Sequence, residues 1–259
     1  FDSARELADR GTVPVLNYID ARVALEDMDA EVDPERLAAW ANELAGTGPA
    51  VAATFLDAAP ALAGSLGANQ MDRVVRLALS LSRTSGEAAS KFLLRSPELA
   101  ERAGTDGLEM VAKLSELLAR ESWTTATQLL DKCPAILDGI LPLGPPSLMA
   151  DLCSLGSRIA SYNARLAVSL LENSGAIIRL VGFPGLERLE ALVHRLGEES
   201  WTTAVSLLQT SPAILERVGF EGLERIAETA LCIARENNYG AVSLVESSQI
   251  GRASCRERV

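Results

Sequence analysis

The sequence contains few of the residues that favour β-sheets or that form catalytic and metal-binding sites. Aromatic residues make up 4% of its 259 positions, and it contains one histidine and four cysteines. A chain with few aromatics and many alanines and leucines favours helix over sheet. The cysteines, Cys133, Cys153, Cys232 and Cys255, show no CxxC spacing, so they predict neither a disulfide framework nor a zinc site. We expect buried, free thiols.

Motifs that carry chemistry are scarce as well. The only histidine is His194, and no GxGxxG or GxxxxGK[ST] segment occurs. A lone histidine is more often a surface or packed helix residue than a metal ligand or a catalytic group. The sequence therefore predicts no nucleotide site, no metal, no cofactor, no small-molecule ligand and no catalytic residue, which is to say a protein that is not an enzyme.

Basic charge and long apolar runs are also in short supply. The chain has 24 Lys and Arg against 35 Asp and Glu, a net charge of −11, which argues against nucleic acid as a partner. We find no apolar run near the roughly 20 residues that span a bilayer. The first residues, FDSARELADRG, lack the basic segment followed by an apolar segment that a signal peptide has. We expect a cytoplasmic protein with no membrane partner.

What the sequence does contain is a tandem repeat. The hexapeptide ESWTTA occurs at residues 121–126 and again at residues 199–204. Its closing alanine belongs to a series in which bulky apolar residues follow three and four positions later: Ala52, Ala89, Ala126, Ala167, Ala204 and Ala241. Successive members are 37, 37, 41, 37 and 37 residues apart. This period is in the range of armadillo and HEAT-like helical repeats.

Each repeat is predicted to contain two helices and a short third one. The first begins near residue 34, 71, 108, 149, 186 or 223 and carries an apolar stripe at helical spacing. The second begins near the alanine, and the ThrThr pairs at 124–125 and 202–203 are its predicted caps. A following Ser-Pro dipeptide is expected to end it and to cap the third helix, which stops at glycines such as Gly104 and Gly219.

These patterns predict an all-α fold, a right-handed α-solenoid of about 37-residue armadillo/HEAT-like repeats. It would cover residues 1–249, with a partial repeat at 1–33 before the six full ones. The four extra residues fall in the segment GILPLGPPS, at 139–147, whose three prolines predict a bend in the stack.

Both ends of the chain indicate a fragment. Residues 250–259, IGRASCRERV, follow no helical period and look like the translation of a sequencing adapter, so we expect a non-native tail that packs on nothing. The chain begins at Phe1 and not at Met. We therefore expect a metagenomic piece of a longer gene product.

The phrases SPAILERVGFEGLERIAETALCIA and SWTTAVSLLQTSP resemble the helical-repeat region of bacterial von Willebrand factor A domain proteins of the nitric oxide reductase and rubisco activation accessory type. The resemblance covers essentially residues 1–249. It implies that the protein works together with a MoxR-type AAA+ ATPase. The family's metal-binding DxSxS motif does not occur in this chain, so the resemblance implies no metal site here.

Three functions remain open at this point. The resemblance favours a non-catalytic protein-interaction scaffold, a fragment of an accessory protein that works with an AAA+ ATPase or its client. A free-standing helical-repeat scaffold needs only the repeats. A HEAT-like bilin lyase would need a polar or reactive cluster in its concave groove, which the sequence does not indicate.

One surface pattern points to a partner. The position five residues after each alanine of the series holds a carboxylate in four of six repeats: Asp57, Asp131, Glu172 and Glu246. Stacked repeats would place these residues in a row, which we call the acidic row, facing a basic partner. A solvated acidic face is the alternative. Trp123 and Trp201, at equivalent positions of the hexapeptides, are expected to pack between helices.

Overall fold

The computed structural model describes residues 15–30, 32–145 and 147–249, and all the regular structure in these residues is helical. Ten helices follow one another: α1 Val15–Asp27, α2 Pro34–Ala45, α3 Pro49–Leu66, α4 Ala68–Ser82, α5 Gly86–Glu121, α6 Trp123–Ile140, α7 Ser147–Ala160, α8 Ala164–Glu199, α9 Trp201–Ala234 and α10 Asn238–Gln249. The predicted all-α class is confirmed. The predictions for residues 1–14 and for the tail at 250–259 lie outside the described residues.

The contacts between helices divide the chain into two compact units, Phe1–Leu137 and Asp138–Val259. We call them unit 1 and unit 2. In unit 1, α3 packs against α1, α2, α4 and α5, and α4 packs against α5. In unit 2, α9 packs against α8 and α10, and α7 packs against α8. Within each unit, a helix therefore packs against helices that are close to it in sequence.

The helices that carry the paired apolar residues begin at regular intervals. They start at Pro49, Gly86, Trp123, Ala164, Trp201 and Asn238, so successive starts are 37, 37, 41, 37 and 37 residues apart. Eleven of the twelve paired residues are at most 4% exposed: Phe55, Leu56, Phe92, Leu93, Leu129, Leu130, Leu170, Leu171, Leu207, Leu208 and Val245. Burial of each such side chain contributes about 1.5–3 kcal/mol. These pairs therefore hold each helix against its neighbours.

Serines, and not the predicted threonines, cap the helices that follow the hexapeptide glutamates. Ser122 Oγ accepts a hydrogen bond from the backbone N–H of Thr125 at 3.4 Å. Ser200 Oγ accepts from the backbone N–H of Thr203 at 3.3 Å. Both serines have an extended backbone, as an N-cap residue does. Serine and threonine have similar cap preferences, so composition alone did not separate them, and the helices begin earlier than the threonine assignment implied.

The prediction that Ser-Pro dipeptides end the second helices is wrong. Four prolines lie inside helices that continue beyond them: Pro60, Pro97, Pro134 and Pro212. The serine is not an N-cap either, because Ser96 Oγ donates to the carbonyl of Phe92 at 2.7 Å. An internal proline removes a backbone hydrogen bond, yet Leu99 and Ile214, just past two of the prolines, are 0% exposed. Burial of such residues offsets the loss, and the helix continues.

Glycines interrupt the helices instead. Gly67 follows α3, and the backbone leaves helical φ and ψ inside α5, α8 and α9 at Gly104, Gly182 and Gly219. The φ of these four residues is +65° to +76°, a region open to glycine and rarely to other residues. Gly104 and Gly219 were predicted as helix stops, and the structure places a kink between two helical segments at each of them.

Ion pairs connect equivalent positions of successive first helices. In unit 1, Arg73 pairs with Glu109, 36 residues further on. In unit 2, Arg188 pairs with Glu224 at 2.7 Å, again 36 residues further on. Lys113 and Arg73 lower the pKa of the Glu109 carboxyl to about 2 by hydrogen bonding and charge. Exposed pairs of this kind contribute little to stability.

The four-residue insertion coincides with a close approach of two glycines in unit 2. The α-helical backbone stops at Ile140, a 3-10 turn covers Leu141–Leu143, and α7 begins at Ser147. A Cβ added to Gly175 would lie 2.9 Å from the carbonyl oxygen of Gly139, so only glycine fits there. Four of the five equivalent positions in the series hold proline, namely Pro60, Pro97, Pro134 and Pro212. The predicted bend of the stack at this segment stays a prediction.

Within the described residues, two helices have the length and composition of a membrane span, Pro49–Leu66 and Ala164–Glu199. The shares of their most apolar 18-residue windows that are buried inside the structure are 44% and 50%. The core helix of a folded domain passes the same test. The chain is thus more apolar locally than the sequence analysis indicated, and the cytoplasmic localisation stays a prediction.

Candidate functional site

The four residues of the acidic row are all exposed, two in each unit. In unit 1, Asp57 lies on α3 and accepts a hydrogen bond from Asn17 Nδ2 at 2.8 Å. Glu172 and Glu246 lie on α8 and α10 of unit 2. The row as a partner site remains a prediction.

Asp131 is engaged by two cations of the preceding helix. Lys91 Nζ lies 2.8 Å and Arg95 Nη2 3.1 Å from Asp131 Oδ1. The hydrogen bond from Lys91, reinforced by Arg95, holds the pKa of the Asp131 carboxyl below its usual range. The contact joins residues 40 apart, as does the contact between Asn17 and Asp57. The negative charge of Asp131 is therefore largely neutralised within the protein.

An open groove in unit 1 lies beside this ion pair. It has a volume of about 540 Å³. Its sides are formed by Glu87, Lys91 and Leu94 of α5 and by Trp123, Thr127 and Asp131 of α6, with the first residues of α3 at one end. We call it the Trp123 groove. Pockets of 300–1,000 Å³ that combine apolar walls with a few polar groups are typical of binding sites.

The groove forms because three helices begin at the same level of unit 1. Helices α3, α5 and α6 start at Pro49, Gly86 and Trp123, one repeat apart. Ser85 caps α5, accepting from the backbone N–H of Ala88 at 3.2 Å. Gly86 lines the groove as well, and a Cβ added to it would meet only Val51 Cγ2, at 3.7 Å. The regular spacing of the helix starts thus brings residues distant in sequence to one surface.

Apolar side chains in the groove are unusually exposed. Trp123 is 51% and Leu94 57% exposed, although large apolar side chains are most often buried. The expectation that Trp123 and Trp201 pack between helices is wrong, since Trp201 is also 47% exposed. Each tryptophan is the first residue of its helix, where the neighbouring helix also begins and covers it incompletely.

The sequence analysis missed this site. Its signal was present in the pattern of the acidic row, because Leu94 is the one apolar residue at the row's six positions. That departure was not interpreted. The exposure of Trp123 could not be inferred from the hexapeptide, since it depends on where the neighbouring helix begins.

Unit 2 contains the corresponding tryptophan in a different setting. Trp201 begins α9 as Trp123 begins α6. The guanidinium carbon of Arg165 lies 5.7 Å from the centroid of the Trp201 ring. This distance is within the range of a cation–π contact. Arg165 precedes Trp201 by 36 residues, and the residue 36 before Trp123 is Glu87.

His194 lies in a small polar cluster of unit 2. Its ring contacts the ring of Tyr162 edge-on, with centroids 4.4 Å apart, and its Nδ1 is 3.8 Å from Glu198 Oε1. Burial raises the pKa of Tyr162 well above its usual range. In the residues that the structure describes, no group of three His, Cys, Asp or Glu side chains could hold a metal ion. The geometry around His194 is that of a packing contact.

The structure describes three of the cysteines, Cys133, Cys153 and Cys232. Cys133 is buried and Cys153 is partly buried, and burial raises the pKa of the Cys153 thiol to about 11. Cys232 is exposed, so the expectation of buried thiols is wrong for this residue. Cys255 lies outside the described residues.

Comparisons with family models, with curated proteins and with solved structures find no match for this chain. The resemblance to the von Willebrand factor A accessory proteins therefore stays a prediction.

Proposed function

We propose that the protein is a non-catalytic protein-interaction scaffold, an α-solenoid of about 37-residue helical repeats that binds a protein segment in the Trp123 groove. In the larger context that the sequence resemblance implies, it belongs to an accessory protein that works with a MoxR-type AAA+ ATPase or with its client.

The spacing of the helices supports the repeat part of this proposal. The second helices begin 37 residues apart with one interval of 41. The positive-φ glycines Gly67 and Gly104, and again Gly182 and Gly219, are 37 residues apart. Ion pairs join residues 36 apart in both units. Each recurrence is what a stack of similar units produces, because every unit contacts its neighbours in the same way.

The exposed side chains of Leu94 and Trp123 support the proposal that the groove binds a protein segment. Protein interfaces are enriched in aromatic residues, and a central apolar anchor surrounded by polar groups supplies most of their energy. The groove combines such an anchor with a rim of charged and hydroxyl side chains, Glu87, Lys91 and Thr127. An open groove of this size fits a peptide segment better than an enclosed small molecule.

A peptide library displayed on phage and selected against the whole immobilised chain tests the proposal. We expect selected peptides to lose at least about tenfold in affinity when Leu94 and Trp123 are both replaced by alanine, since truncated interface anchors commonly have that effect. Trp201→Ala is the matched control, because it removes an equivalent, half-exposed tryptophan from unit 2.

Thermal unfolding of each variant must match the wild type before the affinities are compared. A library that yields no binder, or binders that the Leu94→Ala/Trp123→Ala variant retains at full affinity, would overturn the Trp123 groove as the docking surface. The link to a MoxR-type ATPase is tested separately, by titrating such an ATPase into the chain in the presence of ATP.

A further inference from the structure

The two hexapeptide tryptophans differ in what faces them. In unit 2 the guanidinium of Arg165 lies over the ring of Trp201, 5.7 Å from its centroid. In unit 1 the corresponding residue is Glu87, which lines the same groove as Trp123. The chain thus supplies a cation to one tryptophan and an anion to the side of the other.

In the described part of the chain, no arginine or lysine lies over the Trp123 ring as Arg165 lies over the Trp201 ring. The negative face of an indole ring attracts a guanidinium or an ammonium group, and tryptophan does so more strongly than tyrosine or phenylalanine. Glu87 is exposed, and its carboxylate accepts a hydrogen bond from Ser85 Oγ at 3.4 Å. Among the residues that the structure describes, no lysine or arginine forms a salt bridge with Glu87.

The other charges of the groove do not oppose a cation. Lys91 is the basic residue of the groove, and its ammonium group is 2.8 Å from the Asp131 carboxylate. Arg95 contacts the same carboxylate at 3.1 Å and Glu98 at 3.3 Å. Arg102 in turn contacts the Glu98 carboxylate at 3.1 Å. Among the charged residues that line the groove, Lys91 pairs with Asp131, and the carboxylate that remains is that of Glu87.

We propose that the Trp123 groove binds an arginine or lysine side chain of a partner protein, which stacks on the Trp123 ring and pairs with the Glu87 carboxylate. The contact reproduces between two proteins the one that Arg165 and Trp201 make within unit 2. The inference rests on the proposed scaffold function and specifies the partner segment, which carries a basic residue beside the apolar residue that contacts Leu94.

The probe is acetyl-arginine methylamide, with acetyl-citrulline methylamide as its neutral isostere. Both are titrated into the whole chain while the indole N–H signals are followed by NMR, and Trp123→Phe and Trp201→Phe assign two of the three signals. We expect the arginine compound to shift the Trp123 signal saturably and about two- to fivefold more tightly than the citrulline compound, as for an exposed cation–π contact. The Trp201 signal serves as the internal reference.

Two variants, each of which introduces the charged residue of the other unit, test whether this residue decides the response of the tryptophan. Glu87→Arg gives unit 1 the arrangement of unit 2, so its own guanidinium should cover Trp123 and abolish the response. Arg165→Glu gives unit 2 the arrangement of unit 1, so Trp201 should begin to respond. Both residues lie in the first turn of their helix, and each position tolerates the other's side chain in the corresponding repeat.

The inference is overturned if the arginine and citrulline compounds shift Trp123 equally, or if Glu87→Arg, folded by its thermal unfolding, still responds as the wild type. If phage-selected peptides bind through Trp123 but keep their affinity when each basic residue becomes citrulline, the scaffold proposal survives and the cation inference fails. If no peptide binds through Trp123, the scaffold proposal fails as well.

Discussion

The same six residues, ESWTTA, occur in both units of the molecule and lead to two different surfaces. In each unit a serine caps the helix, a tryptophan begins it, and the apolar pair six residues later is buried. The difference comes from the neighbouring helix, where Glu87 of unit 1 corresponds to Arg165 of unit 2.

This comparison shows which positions differ between two segments that share a sequence pattern. Core positions are constrained by close packing, so Leu129 and Leu130 are identical to Leu207 and Leu208. Surface positions carry no such constraint, and several of them differ in charge or polarity between the units, three of which belong to the groove or to the acidic row. The pairs are Glu87 and Arg165, Leu94 and Glu172, and Asp131 and Gln209. Binding properties can therefore diverge while the fold is retained.

The largest expected effect on stability comes from truncating the buried leucine pair that each unit contains. Replacing Leu129 and Leu130 by alanine should cost about 4–8 kcal/mol of unfolding free energy, since each buried leucine loses both transfer energy and packing. Leu207→Ala/Leu208→Ala is the matched variant in unit 2. Urea unfolding measures the cost.

Hydrogen exchange distinguishes the two variants. We expect protection to fall first in the helices around the substituted pair, between residues 108 and 175 for the unit 1 variant, because each helix packs against near neighbours in sequence. A uniform loss of protection over both units would show a single cooperative core and would contradict the repeat stack.

Glycine substitutions should have equal effects in the two units. Gly104 of unit 1 and Gly219 of unit 2 have φ of +65° and +67° with extended ψ. Alanine is strained in this region, so Gly104→Ala and Gly219→Ala should each lower the unfolding free energy by on the order of 1–3 kcal/mol. Thermal and chemical unfolding give the values. Costs that differ by more than about 1 kcal/mol would show that the two turns are not equivalent.

Unit 2 has one packing constraint that unit 1 lacks. Gly175→Ala should cost about 1–3 kcal/mol by overpacking, because the new Cβ would lie 2.9 Å from the carbonyl oxygen of Gly139. Gly197→Ala is the control in the same helix, where the nearest atom would be 3.4 Å away. The control should be neutral or stabilising, since alanine has the higher helix propensity. Equal costs at both positions would contradict a specific glycine contact.

The smallest effect on stability is expected from the acidic row. Changing Asp57, Asp131, Glu172 and Glu246 to the neutral amides should alter the unfolding free energy by less than about 1 kcal/mol, because exposed carboxylates contribute little. If the row steers a basic partner, the variant should bind a MoxR-type ATPase more slowly at low salt, with a flatter salt dependence of the on-rate.

The single variant Asp131→Asn should slow association with a basic partner at least as much as the other single variants, since it leaves the charges of Lys91 and Arg95 without their carboxylate. Wild-type association rates for the quadruple variant at low salt would identify the row as a solvated face. Stopped-flow fluorescence at several salt concentrations provides the measurement.

Several features of the fold could be predicted because they are local and periodic. The spacing of the alanine series predicted the starts of the second helices to within three residues, and all but one of the twelve paired apolar residues, Leu244, are at most 4% exposed. The continuation of the helix beyond Pro97 could not be predicted in this way. Proline opposes a helix in isolation, and only the burial of Leu99 in the core reverses that preference.

The amino-acid sequence by itself determined the all-helical class, the spacing at which the second helices begin and the apolar pair that each of them buries, because helix periodicity and apolar burial are properties of short segments. The tertiary structure alone decided that Trp123 and Leu94 remain exposed, that Lys91 neutralises Asp131, and that Arg165 covers Trp201 while Glu87 stands beside Trp123. These relations join residues that are 29 to 40 positions apart. They arise only when neighbouring helices pack in register and their ends come together at one surface.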